Sequence, residues 1–364
     1  MVEPIYVPAL PARRSALVAY EQLTPRVRAK SSPLWTIPPR TGPERTMGHR
    51  PPGPLDRDPA ALTQYVRTKA AEIAQAQQGL PAWLDAFHVE DEPGPVSTGM
   101  WKLLADSPLR PVTGTERADW QQIACAELAR ASGNGLGIRI LVTALPDECC
   151  AAAVRRLLDH IGTPPPAVDL LLDLRAITEE HHPAEKWALR ALDLLGSLHG
   201  WRTVVLLAGS FPRLPPESPE MTLEDAHRFD WDTWHMVRHT RGAQATPVTY
   251  GDYGAQPTGG ADQPSERGGG PAWGVLRYTT ERTFLMIKAP TEGPNRSSTV
   301  RSLARQIVEA HDFRDSGFSD GERWLHDCAH GVGSDGAGTP EIWIRAGHVQ
   351  HMTYVVRQLE SVRE

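Results

Sequence analysis

The chain has 364 residues, room for one large domain or two ordinary ones. Acidic residues outnumber basic ones by 44 to 38, and the formal charge of -6 gives no general attraction to nucleic acid or anionic membranes. Hydrophobic residues make up 40% and charged ones 23%, while 33 Pro and 31 Gly gather in connections, which excludes a disordered chain and describes a globular one with long loops.

Short apolar runs read as buried strands at Ile5–Pro8, Leu34–Ile37, Trp83–Phe87, Ile138–Val142, Val168–Asp173, Thr203–Leu207, Val248–Tyr250 and Gly274–Arg277. Most are continuous rather than alternating, as expected for strands covered on both faces. Helical patterns fall between them: Ala16–Ala29, broken at Thr24-Pro25, then Asp58–Gln77, Trp120–Ala131, Pro146–Ile161 and Pro183–Leu198. The last three run into glycine stop signals at Gly133, Gly162 and Gly200. Strand and helix alternate about eight times, the pattern of a parallel sheet with crossover helices.

The expected fold is therefore α/β, a (β/α)8 TIM-barrel-like domain over residues 1–364, with a doubly wound open sheet as the alternative. Loop insertions are expected near 40–57 and 256–271, where Pro, Gly and polar residues dominate. Beyond Arg277-Tyr278, the run Thr283–Lys288 completes a hairpin. A helix over Ser297–Ala310 and an amphipathic helix over Gly347–Val362 follow.

In such folds, sites gather where strands end. Val248-Thr-Tyr250 feeds Gly251-Asp-Tyr-Gly254, which displays an acid and two tyrosines at a strand end. Asp252 is a candidate catalytic acid or base; its alternative role is to accept backbone hydrogen bonds within its own turn. Tyr250 and Tyr253, facing opposite ways if the strand continues, are candidate ligand contacts. Asp173 and Arg175 end another strand, as a general base or metal ligand beside an anion clamp, or else as an ion pair bracing a loop. Ser210 follows the next strand as a phosphate donor or a simple cap, and Arg277 ends the run expected to be the last strand. Asp85, Asp173, Asp252 and Arg277 would ring one rim, with His88, Glu90 and Asp91 in a following loop.

The other signals point away from common chemistries. There is no Walker A loop, G-x-G-x-x-G, H-E-x-x-H or G-x-S-x-G. The four cysteines lack metal or disulfide spacing. His348 and His351 lack a third ligand and read as packing or helix-capping residues, so no metal site is expected and no cofactor is indicated. Trp231 and Trp234 read as a helix face packed on the barrel wall, or as a pocket lining. No signal-peptide pattern and no span-length apolar run is present, so the expected compartment is the cytoplasm, with no membrane partner.

An ordered series of short motifs runs along nearly the whole chain. It starts with Tyr6-Val-Pro8, Leu23-Thr-Pro-Arg-Val-Arg28 and Pro33-Leu-Trp-Thr-Ile-Pro38. It continues with Gly251-Asp-Tyr-Gly254, Arg277-Tyr278, Asp312-Phe-Arg314 and Phe318-Ser319, and closes with Trp343, His348-Val-Gln-His351 and Met352–Arg357. This series resembles the beta protein family of bacteria and phages, named after a protein of a T-even bacteriophage. The resemblance implies no defined reaction, and it suggests a setting near phage-defence or mobile-element genes. Members often carry Lys just after the opening strand; here the nearest basic residues are Arg13 and Arg14.

Two functions are consistent with these readings. One is binding of a small phosphorylated or nucleotide-like ligand at the strand C-terminal rim, with or without hydrolysis, through Asp173 and Asp252 with Arg175, Ser210, Tyr250, Tyr253 and Arg277. The other is a non-catalytic module that acts through a protein partner. Arg40, Arg45, Arg50 and Arg57 supply a weaker nucleic-acid idea that the acidic balance opposes.

Overall fold

The computed structural model describes residues 4–39, 59–90, 107–178, 184–214, 218, 220–242, 245–259 and 273–363. Eight parallel strands close into a barrel: β1 (Tyr6–Pro11), β2 (Leu34–Thr36), β3 (Ala82–Asp85), β4 (Leu109–Thr113), β5 (Leu136–Leu141), β6 (Val168–Ala176), β7 (Thr203–Gly209) and β9 (Thr249–Asp252). Closure comes from β9 pairing with β1, Tyr6 against Tyr250 and Pro8 against Asp252. Between β7 and β9 the chain contributes β8 (Leu223–His227) to a separate antiparallel sheet, completed by the hairpin β10 (Trp273–Thr279) and β11 (Thr283–Pro290) in the order β10-β11-β8.

The helices of the outer ring are α1 (Arg14–Gln22), α2 (Pro25–Lys30), α3 (Pro59–Gln77), α4 (Asp119–Ser132), α5 (Glu148–Ile161), α6 (Ala184–Leu195) and α7 (Phe229–Arg241). Their ends follow local chemistry. Thr24 caps α2 by accepting the Val27 amide, and Asp147 caps α5 by accepting the Cys150 amide. Gly133 and Gly162 close α4 and α5 in the left-handed region that glycine enters at little cost.

Side chains along the strands divide between two cores. Tyr6, Leu10, Leu84, Ile138, Leu170, Leu172 and Leu206 point outward to the helices, whereas Val7, Ala9, Leu34, Trp83, Val112, Leu171, Val205 and Leu207 fill the barrel interior. Both faces are apolar, which is why the strands lack alternation in sequence.

Two expectations are corrected. The run Gly274–Arg277 is not a barrel strand; it lies in β10, outside the barrel. Its place in the count belongs to β4, whose sequence Leu-Arg-Pro-Val-Thr hides it. Arg110 there shares the parity of the interior residue Val112, and Pro111 breaks the apolar run; pairing of β4 with β5 begins only at Val112. Gly251-Asp-Tyr-Gly254 therefore ends the eighth barrel strand rather than the seventh.

The second correction concerns the C-terminus. After α8 (Arg296–Val308) and α9 (Asp320–His330), α10 spans Pro340–Arg363 and is not amphipathic: every residue from Ala346 to Val356 is buried. The helix is a middle layer, packed on α1 and β1 on one side and on β10 and α9 on the other. A helix covered all round has no polar face to show. A third core of Leu276, Tyr278, Ile287, Val300, Leu303, Leu325 and Trp343 joins the outer sheet to α8, α9 and α10. The insertion expected at 40–57, with its arginines, lies outside the described residues, as do Asp91 and residues 260–271 of the second insertion. Among the described residues no helix is long and apolar enough to cross a membrane.

Candidate functional site

The C-terminal mouth of the barrel is built on the parity of three strands. Trp83, Gly137 and Leu171 meet in the interior; a Cβ on Gly137 would lie 2.9 Å from Trp83 and 3.2 Å from Leu171. Two residues further along each strand, on the same face, come Asp85, Arg139 and Asp173. Arg139 donates to Asp85 at 2.7 Å and to Asp173 at 3.0 and 2.5 Å. Tyr253, just beyond β9, hydrogen-bonds Asp173 at 2.7 Å and lies 3.0 Å from Arg139. Both aspartates are fully buried and Arg139 is 6% exposed. Burial alone would raise the Asp85 carboxyl, but Arg117 and Arg139 outweigh it and hold it well below the usual carboxylate range.

A further layer sits above. Arg117, in the loop after β4, donates to Asp85 at 2.8 Å and to Glu90 at 2.5 Å, and its guanidinium lies 4.5 Å over the Phe87 ring. Gln121 donates to Glu90 at 2.9 Å. Burial pushes the Glu90 carboxyl up to about 7; Arg117 opposes the shift, and the Asp85 charge adds to it. Glu90 thus keeps its proton to a higher pH than an ordinary glutamate. Its folded value exceeds the ordinary value of about 4.3, so the native state holds the extra proton between those limits. Stability is expected to be full at the acidic end of that window and to decline as pH rises through 7. Urea unfolding of Glu90→Gln against the parent at pH 5 and 7.5 checks this: a decline that persists in the variant assigns it to another group.

Arg175 marks the end of β6. The ladder between β6 and β7 shifts register between Asp173 and Ala176, and Arg175 adopts φ +60°. A non-glycine residue in this region costs about 1 kcal/mol or more and is held there by its surroundings. The Arg175 amide donates to Asp173 at 2.8 Å, and its guanidinium lies 5.9 Å over the Tyr253 ring. The bulge turns a cation toward the mouth.

Asp252 goes elsewhere. Tyr250 and Asp252 point outward from β9, while Gly251 faces the interior against Val205 and Leu207. Asp252 accepts from Tyr6 at 2.6 Å and from the Gly254 amide at 2.8 Å, and pairs with His351 Nε2 at 2.8 Å; His351 Nδ1 lies 2.9 Å from the Thr279 hydroxyl. Burial would raise the Asp252 carboxyl, yet His351, Tyr6 and the Gly254 amide together hold it below its ordinary value. The cluster ties β1 and β9 to α10 and the outer sheet. Tyr250 and Ser210 both hydrogen-bond Asp230 at the start of α7. Arg277, in the outer sheet, lies across Gly347 and donates to the Ala255 carbonyl at 2.6 Å. Gly254 has φ +64°, and a Cβ there would sit 2.7 Å from His348 Nδ1, so the turn needs glycine. Burial pushes His348 down to about 3, so the imidazole is neutral, in keeping with a packing role.

Of the seven candidate residues, Asp173, Arg175 and Tyr253 come together at the mouth. Asp252, Tyr250, Ser210 and Arg277 lie between the barrel and its outer layers. Arg139 and Arg117 were not foreseen. A lone Arg inside the apolar run Ile138-Arg-Ile-Leu-Val142 was the available signal, since a buried cation needs partners. No group of three or more potential metal ligands occurs among the described residues.

No curated protein and no solved structure matches the chain significantly. A family model does: it covers residues 6–357, spanning the barrel, the outer sheet and most of the last helix, and by that match the chain belongs to the Beta protein family.

Proposed function

We propose that the chain binds a small phosphorylated or nucleotide-like ligand at the C-terminal mouth of its barrel and that Glu90 exchanges a proton in its turnover. The supporting observation is Arg139, carried inside the barrel, holding Asp85, Asp173 and Tyr253 in one rigid array. Preorganised charge of this kind is useful where charge develops in a reaction. Arg175, aimed by a costly backbone conformation, meets the anion, and Tyr253 and Asp173 orient it. Asp252, Tyr250, Ser210 and Arg277 act indirectly by fixing the end of the eighth strand. The whole chain works as one barrel domain with its outer sheet as a support.

Thermal-shift and calorimetric titrations with AMP and ribose 5-phosphate test the reading. Arg175→Gln is expected to weaken binding about tenfold, the loss of one charge-assisted contact, while leaving stability within about 1 kcal/mol of the parent. Equal affinity in parent and variant, or no binding by the parent, would sink the proposal. A second reading, a non-catalytic surface for a protein partner in a phage-defence or mobile-element system, draws on Phe87, Leu141 and Leu145. These are 47%, 44% and 61% exposed in or beside the loops after β3 and β5.

A further inference from the structure

The end of the barrel opposite the mouth carries a separate cleft. It opens between the last turn of α7, the segment 245–248 that leads into β9, and Val362 of α10. Its volume is about 650 Å³. Small-molecule sites span about 300–1,000 Å³, so the cleft fits a compound of nucleotide size better than a bare ion.

The lining is basic. Arg238, Arg241, His235 and His239 face it, and its described lining includes no carboxylate. Arg238 donates to the Val362 carbonyl at 3.3 Å and Arg241 to the Thr246 carbonyl at 3.0 Å. Carbonyls of this kind hold guanidiniums in position without cancelling their charge. Neither arginine forms an ion pair with a described acid, in a chain whose overall charge is -6. The floor is stiff: Trp234 is 3% exposed, donates to the Val248 carbonyl at 3.0 Å and carries the Arg238 guanidinium 5.5 Å above its ring.

Favourable interaction with the helix dipole accounts for basic residues in the last turn of α7. It does not account for a cleft facing them that lacks acids among its described lining. Two guanidiniums and two imidazoles around one cavity suit several phosphate oxygens at once. We infer that this cleft is a second binding site, independent of the mouth, for a condensed phosphate: a nucleoside triphosphate or an inorganic oligophosphate.

Calorimetric titration of the full chain with tripolyphosphate, ATP and adenosine tests it. Tripolyphosphate and ATP are expected to bind, adenosine not to, and affinity to fall as salt rises. ATP binding well above tripolyphosphate would assign the site to a nucleotide, and equal binding to the phosphate chain alone. Arg238→Gln/Arg241→Gln should weaken binding at least tenfold. Thr246→Glu, at an exposed position, puts a carboxylate into the cleft while keeping both arginines, and should weaken binding similarly. Arg175→Gln at the mouth should leave tripolyphosphate binding unchanged. The inference is overturned if neither phosphate compound binds, if both cleft variants bind like the parent, or if Arg175→Gln alone removes the binding.

Discussion

Replacing Arg139 with methionine is expected to destabilise the fold by about 3–5 kcal/mol, the usual cost of stripping the partner from a buried charge. Methionine roughly preserves the aliphatic volume, so the loss is electrostatic rather than a cavity. Asp85 would keep Arg117, but Asp173 would retain only the Tyr253 hydroxyl and the Arg175 amide. Two controls identify the cause. Adding Asp173→Asn should restore much of the loss, because the stranded charge disappears. The pH dependence should also weaken. In the parent, Asp85 is held below its unfolded value, so its stabilisation is present above about pH 4 and is lost only as pH falls through the folded value. In the variant, Asp85 keeps Arg117 alone, so less of that stabilisation should remain to be lost on acidification. Urea unfolding at pH 3 and 7.5 reads both effects; a loss below about 1 kcal/mol at neutral pH would show that the mouth array does not hold the barrel together.

Asp252→Ala is expected to cost about 3–5 kcal/mol as well, for a different reason. Tyr6, His351 and the Gly254 amide would all lose their acceptor in a region with no exposed side chain among them. Asp252→Asn keeps one acceptor oxygen and should cost less, about 1–3 kcal/mol. Because Asp252 faces away from the mouth, the folded Asn variant should bind AMP within about twofold of the parent, in contrast to the tenfold loss for Arg175→Gln. A large loss of affinity in Asp252→Asn at unchanged stability would return Asp252 to the ligand site.

The contrast between these two aspartates shows how far the chain could be read without its structure. Seven of the eight barrel strands were legible because parallel barrel strands are apolar on both faces, and several of the helices between them end on glycine. The hairpin was legible from two β-rich runs around a polar turn. β4 was not legible, because its interior position holds Arg110, balanced by Asp169 from β6 at 3.3 Å, and no local pattern announces a partner 59 residues away. The same limit applies to the site. Asp173, Arg175 and Tyr253 stood out as polar residues at strand ends, but the parity that turns Tyr253 inward and Asp252 outward depends on where β9 stops. Arg139 sits within an apolar run, and its meaning came only from the acids on β3 and β6. The burial of Ala346–Val356 in α10 on all sides follows from a sheet that the chain builds outside the barrel.

That arrangement also sets an order of events during synthesis. Tyr6 meets Asp252 across 246 positions, and Asp252 meets His351 across 99 more. At translation rates of about 5–20 residues per second, β1 leaves the ribosome roughly 15–70 s before the helix that seals its flank. Contacts so distant in sequence close slowly, and an unpaired strand edge is meanwhile open to wrong neighbours. The sequence of β1, Tyr-Val-Pro-Ala-Leu-Pro, omits the backbone donor at Pro8 and Pro11. Two missing donors blunt a waiting edge against nascent chains and other strands, while parallel pairing with β2 and β9 is still formed in the finished barrel.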